Sequence, residues 1–469
     1  MTSSQSKANL VDSRTAAAET TARLDRIPTG RFHVKLAGFV GTGTFFDGFD
    51  ALSLAVILPI IITAFDLDLS TAGLIVSAGY LGQFVGALAI GWFSDRMGRK
   101  WAFIACLAIF GIFSIGCAFA WSGESLALFR VLQGIGLGAE VPVAATLINE
   151  YLGRKGRGKA SIIYQSTFSW GLFFAPLVAL LLTESLGPEL GWRVLLGIGG
   201  IPIVIAVWAT FSMPESARWL ADKGRINEAN RYVDAMEKDA LARGKHLPEP
   251  EKTTLTPHTP FRLSEMFTGL YGRRSFVLGV TWFFSYFVVY GYSVWLPTIY
   301  VRVGGLPTSS SLTLTVILGA VQIGVIYLCA MVIERVGRKR LLLFGLAIAT
   351  AGGMWGVVIV GYFGLTSWPY LFSAGLIVAI GVAVPASTLY LYTTELYPTR
   401  MRGFATSTAS SLNRIASVIS PFVIGALLGR TGGVGLIFGL FTISAVIAFS
   451  TLLFGGIETR GKKLEELSA

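Results

Sequence analysis

The chain has 469 residues, of which 53% are hydrophobic and only 14% are charged, and its mean hydropathy is positive. This composition is typical of a membrane protein and excludes an ordinary soluble domain. The formal net charge is +11, but the basic residues are concentrated in alternate loops. That distribution argues against nucleic-acid binding and predicts a membrane topology instead.

Twelve apolar runs of about 20 residues, the length that spans a hydrocarbon core, follow one another along the chain. They form two sets of six on either side of a polar segment whose first half has the periodicity of an amphipathic helix. The runs centre near residues 50, 80, 110, 138, 170, 203, 288, 322, 350, 380, 415 and 443. We therefore predict an N-terminal cytoplasmic tail (1–32), a six-helix half (33–212), a cytoplasmic linker with amphipathic helices (213–272), a second six-helix half (273–456) and a C-terminal cytoplasmic tail (457–469).

Neither a cleaved signal peptide nor a cofactor motif is predicted. The polar N-terminal segment lacks the apolar core of a signal peptide. Cys106, Cys117 and Cys329 fall inside apolar runs without metal-ligand spacing, so we expect small core residues and no metal site. The glycines of QGIGLGAE, residues 133–140, follow no predicted strand and fit close helix packing better than nucleotide binding. No Walker motif is present, so a gradient is the expected energy source.

The basic loops alternate with loops that hold few cations, chiefly Arg193, Arg302 and Arg430. The basic loops are 96–100, 154–159, 335–340 and 400–402. Because cytoplasmic loops of membrane proteins are enriched in Lys and Arg, this alternation predicts that both termini face the cytoplasm. We expect a multi-pass protein of the inner (plasma) membrane.

An internal repeat supports the division into halves. The stretch GWFSDRMGRK at 91–100 returns as AMVIERVGRK at 331–340, and EYLGRKGRG at 150–158 returns as ELYPTRMRG at 395–403. Two six-helix halves related in this way are typical of a parallel-repeat transporter, whose substrate site lies between the halves near the bilayer midplane.

The GxxxDRxGRK pattern at 91–100 resembles the signature loop of the major facilitator superfamily, and the resemblance extends over residues 30–460. It implies an all-α membrane fold with twelve transmembrane helices in two pseudo-symmetric halves. Asp95 would pair with an arginine and face a helix end, as part of a cytoplasmic latch that helps to hold an outward-open state. Ala330 and Glu334 replace the glycine and aspartate in the second copy, where we expect a looser latch. The predicted cytoplasmic gate comprises Gly91, Asp95, Arg96, Gly98, Arg99, Glu150, Arg157, Glu334, Arg335, Arg338, Glu395 and Arg402.

Further stretches resemble the sugar-porter-like branch of this superfamily, which includes bacterial niacin and other metabolite–proton symporters and organic anion and cation transporters. These stretches are 130–151, 214–220 and 395–403. GLGAEVPVA at 136–144 and YGYSVWLP at 290–297 are more similar to the niacin-type group than to true sugar porters. DGFD at 47–50 resembles the first helix of the aromatic acid–proton symporters, whose acids there are needed for transport.

Asp47 and Asp50 lie three residues apart, on one helix face inside an apolar run. A charge near the bilayer centre costs about 3 kcal/mol on insertion scales, and mutual repulsion favours uptake of a proton by one of the two carboxylates. Alternatively, both acids line a wet vestibule as passive polar groups. The resemblance places Asp50 at the position of the sugar porters' proton-coupling aspartate, with Asp47 tuning it or helping to gate. Which of the two is the main proton site stays open.

The same resemblance places Arg130 opposite the first-helix aspartate, in an ion pair that protonation would break. Counting depth at 1.5 Å per residue puts Arg130 nearer the outer surface than Asp50, unless a kink or an extended helix brings the two level, and makes Glu140 the closer neighbour by depth. Glu140 is then either a second proton-carrying group or a satisfied structural acid. No histidine lies within an apolar run, so the carboxylates are the expected proton carriers.

Arg414 is the candidate anchor for a substrate anion. It lies about twelve residues into its apolar run, roughly 18 Å deep. A guanidinium that faces a cavity can hold a carboxylate through two hydrogen bonds. The organic anion transporters carry an arginine in a similar stretch. The alternative is a permanent ion pair between Arg414 and one of the three membrane acids, Asp47, Asp50 or Glu140.

Aromatic residues give the third indication of the substrate. Trp282, Tyr286 and Tyr290 stand at i, i+4 and i+8 and so share one helix face. Such a stripe commonly packs against neighbouring helices or lipid; together with Arg414 it favours a planar ligand. Further residues that could contact this ligand are Tyr390, Tyr392, Gln165 and Gln322.

Together these features predict a monomeric, proton-coupled importer of a small organic acid by alternating access, and no enzyme activity. The expected substrate is an aromatic carboxylate, such as a nicotinate- or hydroxybenzoate-like acid. A proton-coupled sugar or polyol porter, an organic cation transporter and a non-transporting membrane protein remain the alternatives. The identity of the solute, the proton stoichiometry and the direction of transport stay open.

Overall fold

The computed structural model describes residues 16–28, 30–151, 157–250 and 263–460, and all regular structure in these ranges is helical. The helices of the first half and the linker are α1 (16–26), α2 (Arg31–Ala64), α3 (Leu69–Met97), α4 (Arg99–Ala118), α5 (Gly123–Gly138), α6 (Glu140–Tyr151), α7 (Arg157–Ile198), α8 (Pro202–Ser212), α9 (Ala217–Asp222) and α10 (Ile226–Ala242). The second half contains α11 (Gly269–Arg302), α12 (Thr308–Val336), α13 (Arg338–Gly356), α14 (Trp368–Glu395), α15 (Thr399–Leu428) and α16 (Gly433–Gly455).

The twelve membrane crossings predicted from the sequence are confirmed. Within the described ranges, eleven helical stretches are long and apolar enough to span a bilayer. One of them, Ser166–Ser212, has 47 residues and would rise about 70 Å as a continuous helix, more than twice the hydrocarbon thickness of about 30 Å. The helical backbone breaks at Gly187, where φ is 78°. Residues with a side chain adopt such a positive φ only under strain, whereas glycine adopts it readily. This stretch is therefore two crossings.

Three helix pairs make most of the contact between the two halves: α3 with α15, α2 with α11, and α7 with α12. Where α3 begins, it approaches α15 so closely that a Cβ on Gly73 would meet the backbone carbonyl of Pro421. Gly425 likewise faces the carbonyl of Leu69. Trp295 Nε1 donates to the Pro421 carbonyl at 2.8 Å, which ties α11 to α15 at the same level. Glycine thus permits the halves to close against each other at this end of the molecule.

The glycines of α5 provide the close helix packing that the sequence predicted. Gly134 and Gly138 lie against the backbone of α3, and Gly136 lies against the backbone of α4. A Cβ at any of the three would collide with main-chain atoms, which cannot move aside as a flexible side chain can. The cysteines are buried and unpaired, as expected of small core residues.

The N-terminal helix α1 is held against α10 of the linker by charged side chains. Arg23 Nη2 lies 2.5 Å from Asp234 Oδ1 and 2.7 Å from Glu237 Oε2, and Arg26 Nη2 lies 2.7 Å from Glu237 Oε1. Beneath these pairs, α10 buries an apolar face that includes Val233. One glutamate therefore serves two arginines of α1.

Glu237→Gln is expected to loosen α1 from α10 at neutral pH. Partial burial raises the pKa of Glu237, but the hydrogen bonds and charges of Arg23 and Arg26 outweigh this effect and hold the pKa below its usual range. The clamp is therefore present above the unfolded-state pKa of about 4.3, and it is lost as the pH falls through the lower folded-state value. A spin label at the exposed position 19 should be more mobile in the variant at pH 7, and the difference from wild type should vanish only when the pH falls below the lowered folded-state pKa of Glu237.

Glu228→Gln is the matched control, because Glu228 pairs with Arg225 on α10 itself and not with α1. Equal label mobility in Glu237→Gln and wild type at pH 7 would show that the apolar face alone holds α1.

Candidate functional site

Asp50 lies in a buried polar network between α2 and α5. Both of its carboxylate oxygens accept from Arg130 Nη1 at 2.9 Å, and Gln133 Nε2 donates to Asp50 Oδ1 at 2.8 Å. Arg130 also donates to Gln133 Oε1 at 2.7 Å, and Gln133 donates to Ser114 Oγ at 2.5 Å. Asp50 and Arg130 are each only 3% exposed. Loss of either charge would leave the other buried and uncompensated.

The ion pair that the family resemblance implied between Asp50 and Arg130 is present, and the simple depth count made from the sequence is wrong. It set Arg130 nearer the outer surface than Asp50, with Glu140 as the closer neighbour, yet Arg130 contacts Asp50 directly. Glu140 Oε1 instead accepts from Thr44 Oγ1 at 3.2 Å, about 9 Å further back along α2. The reason is that α2 has 34 residues. Asp50 therefore lies about 28 Å along its axis and not at the middle of a 20-residue span.

Asp47 and Glu140 are the other acids of this region and are 4% and 1% exposed. Asp47 makes no hydrogen bond or ion pair with any residue that the structure describes, but Arg414, Asp50 and Glu140 act on it electrostatically. Glu140 Oε2 is buried and has no hydrogen-bond partner among the described residues. Three acidic side chains therefore lie near two arginines, so acids outnumber bases in the middle of the bundle.

Arg414 connects the halves, since its Nη1 on α15 donates to Gln83 Oε1 on α3. Within the described part of the chain, Arg414 has no ion pair with an acid, and Asp50 is already paired with Arg130. Arg414 is half-buried, whereas Gln83 is only 2% exposed. The groups that act electrostatically on Arg414 include Asp47, Tyr80, Tyr290 and Tyr390. Because the partner of the Arg414 guanidinium is a neutral amide and not an acid, its positive charge remains available to bind a carboxylate.

The aromatic stripe on α11 forms one connected cluster. Trp282 stacks on Tyr286 with ring centroids 5.1 Å apart and planes 6° apart, and it meets Tyr390 edge-on at 4.7 Å. Tyr290 lies 6.0 Å from Tyr286 and 4.9 Å from Tyr80 of α3. Trp282 and Tyr286 are buried, whereas Tyr290 and Tyr390 are partly exposed beside Arg414. Of this cluster, Tyr290 and Tyr390 are therefore the residues placed to contact a ligand.

Other residues predicted to bind substrate lie apart from this cluster or outside the described side chains. Tyr392 is fully buried, and its hydroxyl donates to the Ile457 carbonyl at 2.7 Å near the end of the chain. Gln322 lines a separate, mainly apolar pocket between the halves, bounded by α2 and α7 on one side and by α11, α12 and α14 on the other, with Ser169, Ser293 and Thr315 among its polar neighbours. The side chain of Gln165 lies outside the described residues.

The predicted cytoplasmic gate forms two matching ion-pair clusters, one in each half. Arg99 Nε lies 3.3 Å from Glu150 Oε1, and Arg338 Nη2 lies 3.0 Å from Glu395 Oε1. Arg338 also pairs with Glu334 at 2.7 Å. Each arginine follows a glycine with φ near +100°, at Gly98 and Gly337. Arg96 and Arg335 are exposed at this end, and the side chains of Gly91, Asp95, Arg157 and Arg402 lie outside the described residues.

Two glutamates that the sequence analysis did not single out complete these clusters. Glu215 accepts from the backbone N–H groups of Arg99 and Lys100 at 2.9 and 3.1 Å. Glu458 accepts from those of Arg338 and Arg340 at 2.9 and 3.2 Å. Each carboxylate therefore caps a helix start, where anions are favoured. The signal was available as a repeat, because a Glu-Ser pair follows the sixth crossing and a Glu-Thr pair follows the twelfth.

The pKa values of these two capping glutamates shift in opposite directions. Burial raises the pKa of Glu215, against the effect of its backbone donors. Burial also acts to raise the pKa of Glu458, but the backbone N–H groups of residues 338–340 and 460 outweigh it and lower that pKa. Matched positions in the two halves thus differ in how easily they take a proton.

Comparison with known proteins decides the family. A family model described as "Sugar (and other) transporter" matches residues 35–469. The chain belongs to this family. It is therefore a multi-pass membrane transporter of the major facilitator fold, as the resemblance in its loop motifs implied.

Three known proteins illustrate this similarity. The niacin transporter NiaP of Acinetobacter baylyi is 32% identical, over 95% of this chain and 99% of its own length. The 4-hydroxybenzoate transporter PcaK of Pseudomonas aeruginosa is 29% identical, over 88% of this chain and 90% of its own. A partially occluded inward-open structure of the xylose transporter XylE from E. coli superposes with a TM-score of 0.73 at 18% identity, covering 92% of this chain and 100% of that one. The likeness to XylE shows the fold alone.

Proposed function

We propose that this transporter is a proton-coupled importer of a small aromatic carboxylate, of the nicotinate or hydroxybenzoate type, acting by alternating access. The observation that carries the proposal is the setting of Arg414. Its guanidinium lies between the halves, has a neutral partner in Gln83, and has Tyr290 and Tyr390 beside it.

The charge balance of the region favours an anion that arrives with a proton. Asp47, Asp50 and Glu140 outnumber Arg130 and Arg414, so an additional carboxylate would meet net repulsion. A proton taken up by one of the acids removes that excess, which makes joint binding of proton and anion easier than binding of the anion alone.

Asp50 is the proposed proton-coupling site, with Arg130 as its partner. Protonation of Asp50 would cancel the ion pair and free the guanidinium to find another acceptor, which changes the contacts between α2 and α5. An ion pair that protonation breaks is a two-state element, and a pH gradient can bias it. Asp47 and Glu140 would tune this equilibrium.

The similar proteins support the substrate class through their names. Niacin and 4-hydroxybenzoate, the solutes named for the two relatives, both combine one carboxylate with a planar ring. An Arg414 carboxylate anchor with tyrosine rings at its side suits that shape.

The proposal includes a topology. With both termini and the linker in the cytoplasm of an inner membrane, the contact between Gly73 and Pro421 lies on the outer side. The clusters of Arg99 with Glu150 and of Arg338 with Glu395 then lie on the cytoplasmic side. We infer that the protein works as a monomer, because the two halves of one chain supply all the groups named above.

The test is thermal unfolding of the purified protein against a ligand panel at pH 5.5 and 7.5. The panel contains nicotinate, 4-hydroxybenzoate, nicotinamide, xylose and tetraethylammonium. A ligand at 100 times its Kd stabilises the folded state by about 2.7 kcal/mol, so binding shows as a higher midpoint. We expect shifts with the two acids, larger at pH 5.5, and little with nicotinamide, which keeps the ring but lacks the carboxylate.

The other outcomes of the panel are equally clear. A shift with xylose alone would identify a sugar porter, and the polar groups around Gln322 would then be its site. A shift with tetraethylammonium alone would identify a cation transporter that relies on Asp47.

A further inference from the structure

Gln83 is the residue of the first half that contacts the proposed substrate anchor. It lies on α3 and is 2% exposed, and its side-chain oxygen accepts a hydrogen bond from Arg414 of α15. The two residues are 331 positions apart and belong to opposite halves. This contact therefore crosses the plane along which the halves separate during alternating access.

The backbone of Gln83 is fixed to the helix that carries the proposed proton-coupling network. A Cβ on Gly138 would meet the Gln83 carbonyl oxygen, and one on Gly134 would come within 2.9 Å of the Gln83 nitrogen. Both glycines are on α5, which also bears Arg130 and Gln133. Because α3 and α5 touch through their backbones here, the amide of Gln83 reaches Arg414 from a rigid unit that includes the partner of Asp50.

The chemistry of the pair makes it displaceable. An amide oxygen offers the guanidinium one neutral acceptor, whereas a carboxylate offers two charged oxygens in matching geometry, and such charge-assisted bonds are about twice as strong. The side chain of Arg414 is partly exposed, and its hydrogen-bond partner among the described residues is the neutral amide of Gln83. A carboxylate that arrives between the halves therefore outcompetes the amide.

We propose that Gln83 occupies the position on Arg414 that the substrate carboxylate takes, and that substrate displaces it. This inference rests on the proposed function. In the empty carrier the amide joins the halves at the level of the site; in the loaded carrier the substrate replaces that link. Gln83 is thus a positioning residue that acts through Arg414. It sets the affinity for the substrate and the rate at which the carrier without substrate changes its open side.

Two substitutions of Gln83 with similar volume test the inference, because they should change affinity in opposite directions. Gln83→Glu places a resident carboxylate on Arg414, and we expect the Kd for 4-hydroxybenzoate and nicotinate at pH 7.5 to rise at least tenfold. Gln83→Met removes the competing acceptor, and we expect the Kd to fall severalfold while the maximal rate of net uptake falls. Calorimetric titration of purified protein gives Kd, and proteoliposome uptake gives the split between KM and kcat.

The same variants in an Arg414→Ala background show whether Gln83 acts through Arg414. There we expect Gln83→Glu and Gln83→Met to have Kd values within twofold of each other. Elution as a single species and an unchanged ligand-free unfolding midpoint establish that each variant is folded, and if Gln83→Glu does not fold, the tighter binding of Gln83→Met carries the test alone.

The results distinguish failure of the inference about Gln83 from failure of the proposed function. If wild type binds the acids but both variants bind them equally or both weaken alike, Gln83 has only a structural role and the inference is overturned while the proposed function stands. If wild type binds neither acid, the proposed function fails, and the inference fails with it because no carboxylate then displaces the amide.

Discussion

Arg414→Ala is expected to raise the Kd for 4-hydroxybenzoate and nicotinate about 100-fold. A hydrogen bond to a charged group contributes about 1.5–3 kcal/mol, and a carboxylate held by two of them loses about 3 kcal/mol or more when the guanidinium is removed. At about 1.4 kcal/mol for each factor of ten, this is about two orders of magnitude. Titration calorimetry of the purified variant at pH 5.5 provides the measurement.

Arg414→Lys separates charge from geometry. Lysine keeps a positive charge but binds as a point charge and not as a planar fork. We expect a loss of about tenfold, between wild type and alanine. If the lysine variant binds the two acids as tightly as wild type, the charge at position 414 is sufficient and the two hydrogen bonds from the guanidinium to the carboxylate are not needed.

Arg430→Ala is the matched control for Arg414. Arg430 is an exposed arginine just beyond the end of the same helix. Removal of a solvated surface charge changes binding little. Retention of wild-type affinity for the two acids in Arg414→Ala would assign this arginine a structural role and show that another group anchors the carboxylate.

Asp50→Asn is expected to abolish proton-driven accumulation while exchange of labelled for unlabelled substrate continues. One pH unit across the membrane is worth about 1.4 kcal/mol for each proton, so a gradient of two units supports roughly 100-fold accumulation. An amide cannot release or take the coupled proton, and the variant should only equilibrate its substrate, with an accumulation ratio near one. Proteoliposome uptake with and without an imposed pH gradient measures the ratio.

Removal of the Asp50 charge leaves Arg130 buried and unpaired, which costs about 3–5 kcal/mol when one partner of a buried pair is lost. The double variant Asp50→Asn/Arg130→Gln removes both charges and keeps hydrogen-bonding groups, so it is expected to be more stable than the single variant. Uncoupled exchange by the double variant therefore tests the role of Asp50 even where the single variant is unstable.

Asp66→Asn is the control for a general effect of a lost carboxylate. Asp66 is exposed in the connection between α2 and α3, with φ 49°, a conformation that asparagine also adopts readily. We expect wild-type accumulation from it. If Asp50→Asn also accumulates substrate like wild type, the proton is carried elsewhere, and Asp47 and Glu140 become the sites to test.

The sequence alone determined the membrane class, the twelve crossings, the repeat of the halves and the family. These properties depend on local patterns: the length of an apolar run, the spacing of a loop motif and the alternation of basic loops. Each pattern is built from segments of about 20 residues or fewer whose order along the chain is enough to recognise it, so no knowledge of the packing is needed. Even the matched ion-pair clusters of Arg99 and Arg338 follow from a motif that occurs twice.

The tertiary structure decided which polar residues meet, beyond the pair of Asp50 and Arg130 that the family resemblance implied. Asp50 and Arg130 are 80 residues apart, and Gln83 and Arg414 are 331 apart. The depth count missed the contact of Asp50 with Arg130, because the 34-residue length of α2 shifts its register against α5, and no local pattern indicated the contact of Gln83 with Arg414. The partner of a buried charge depends on the rotation, tilt and axial offset of each helix relative to its neighbours. Close glycine contacts, such as those of α5 with α3, help to set this relative placement. Sequence identifies the charges that a membrane must compensate, and only the packing decides which group compensates each one.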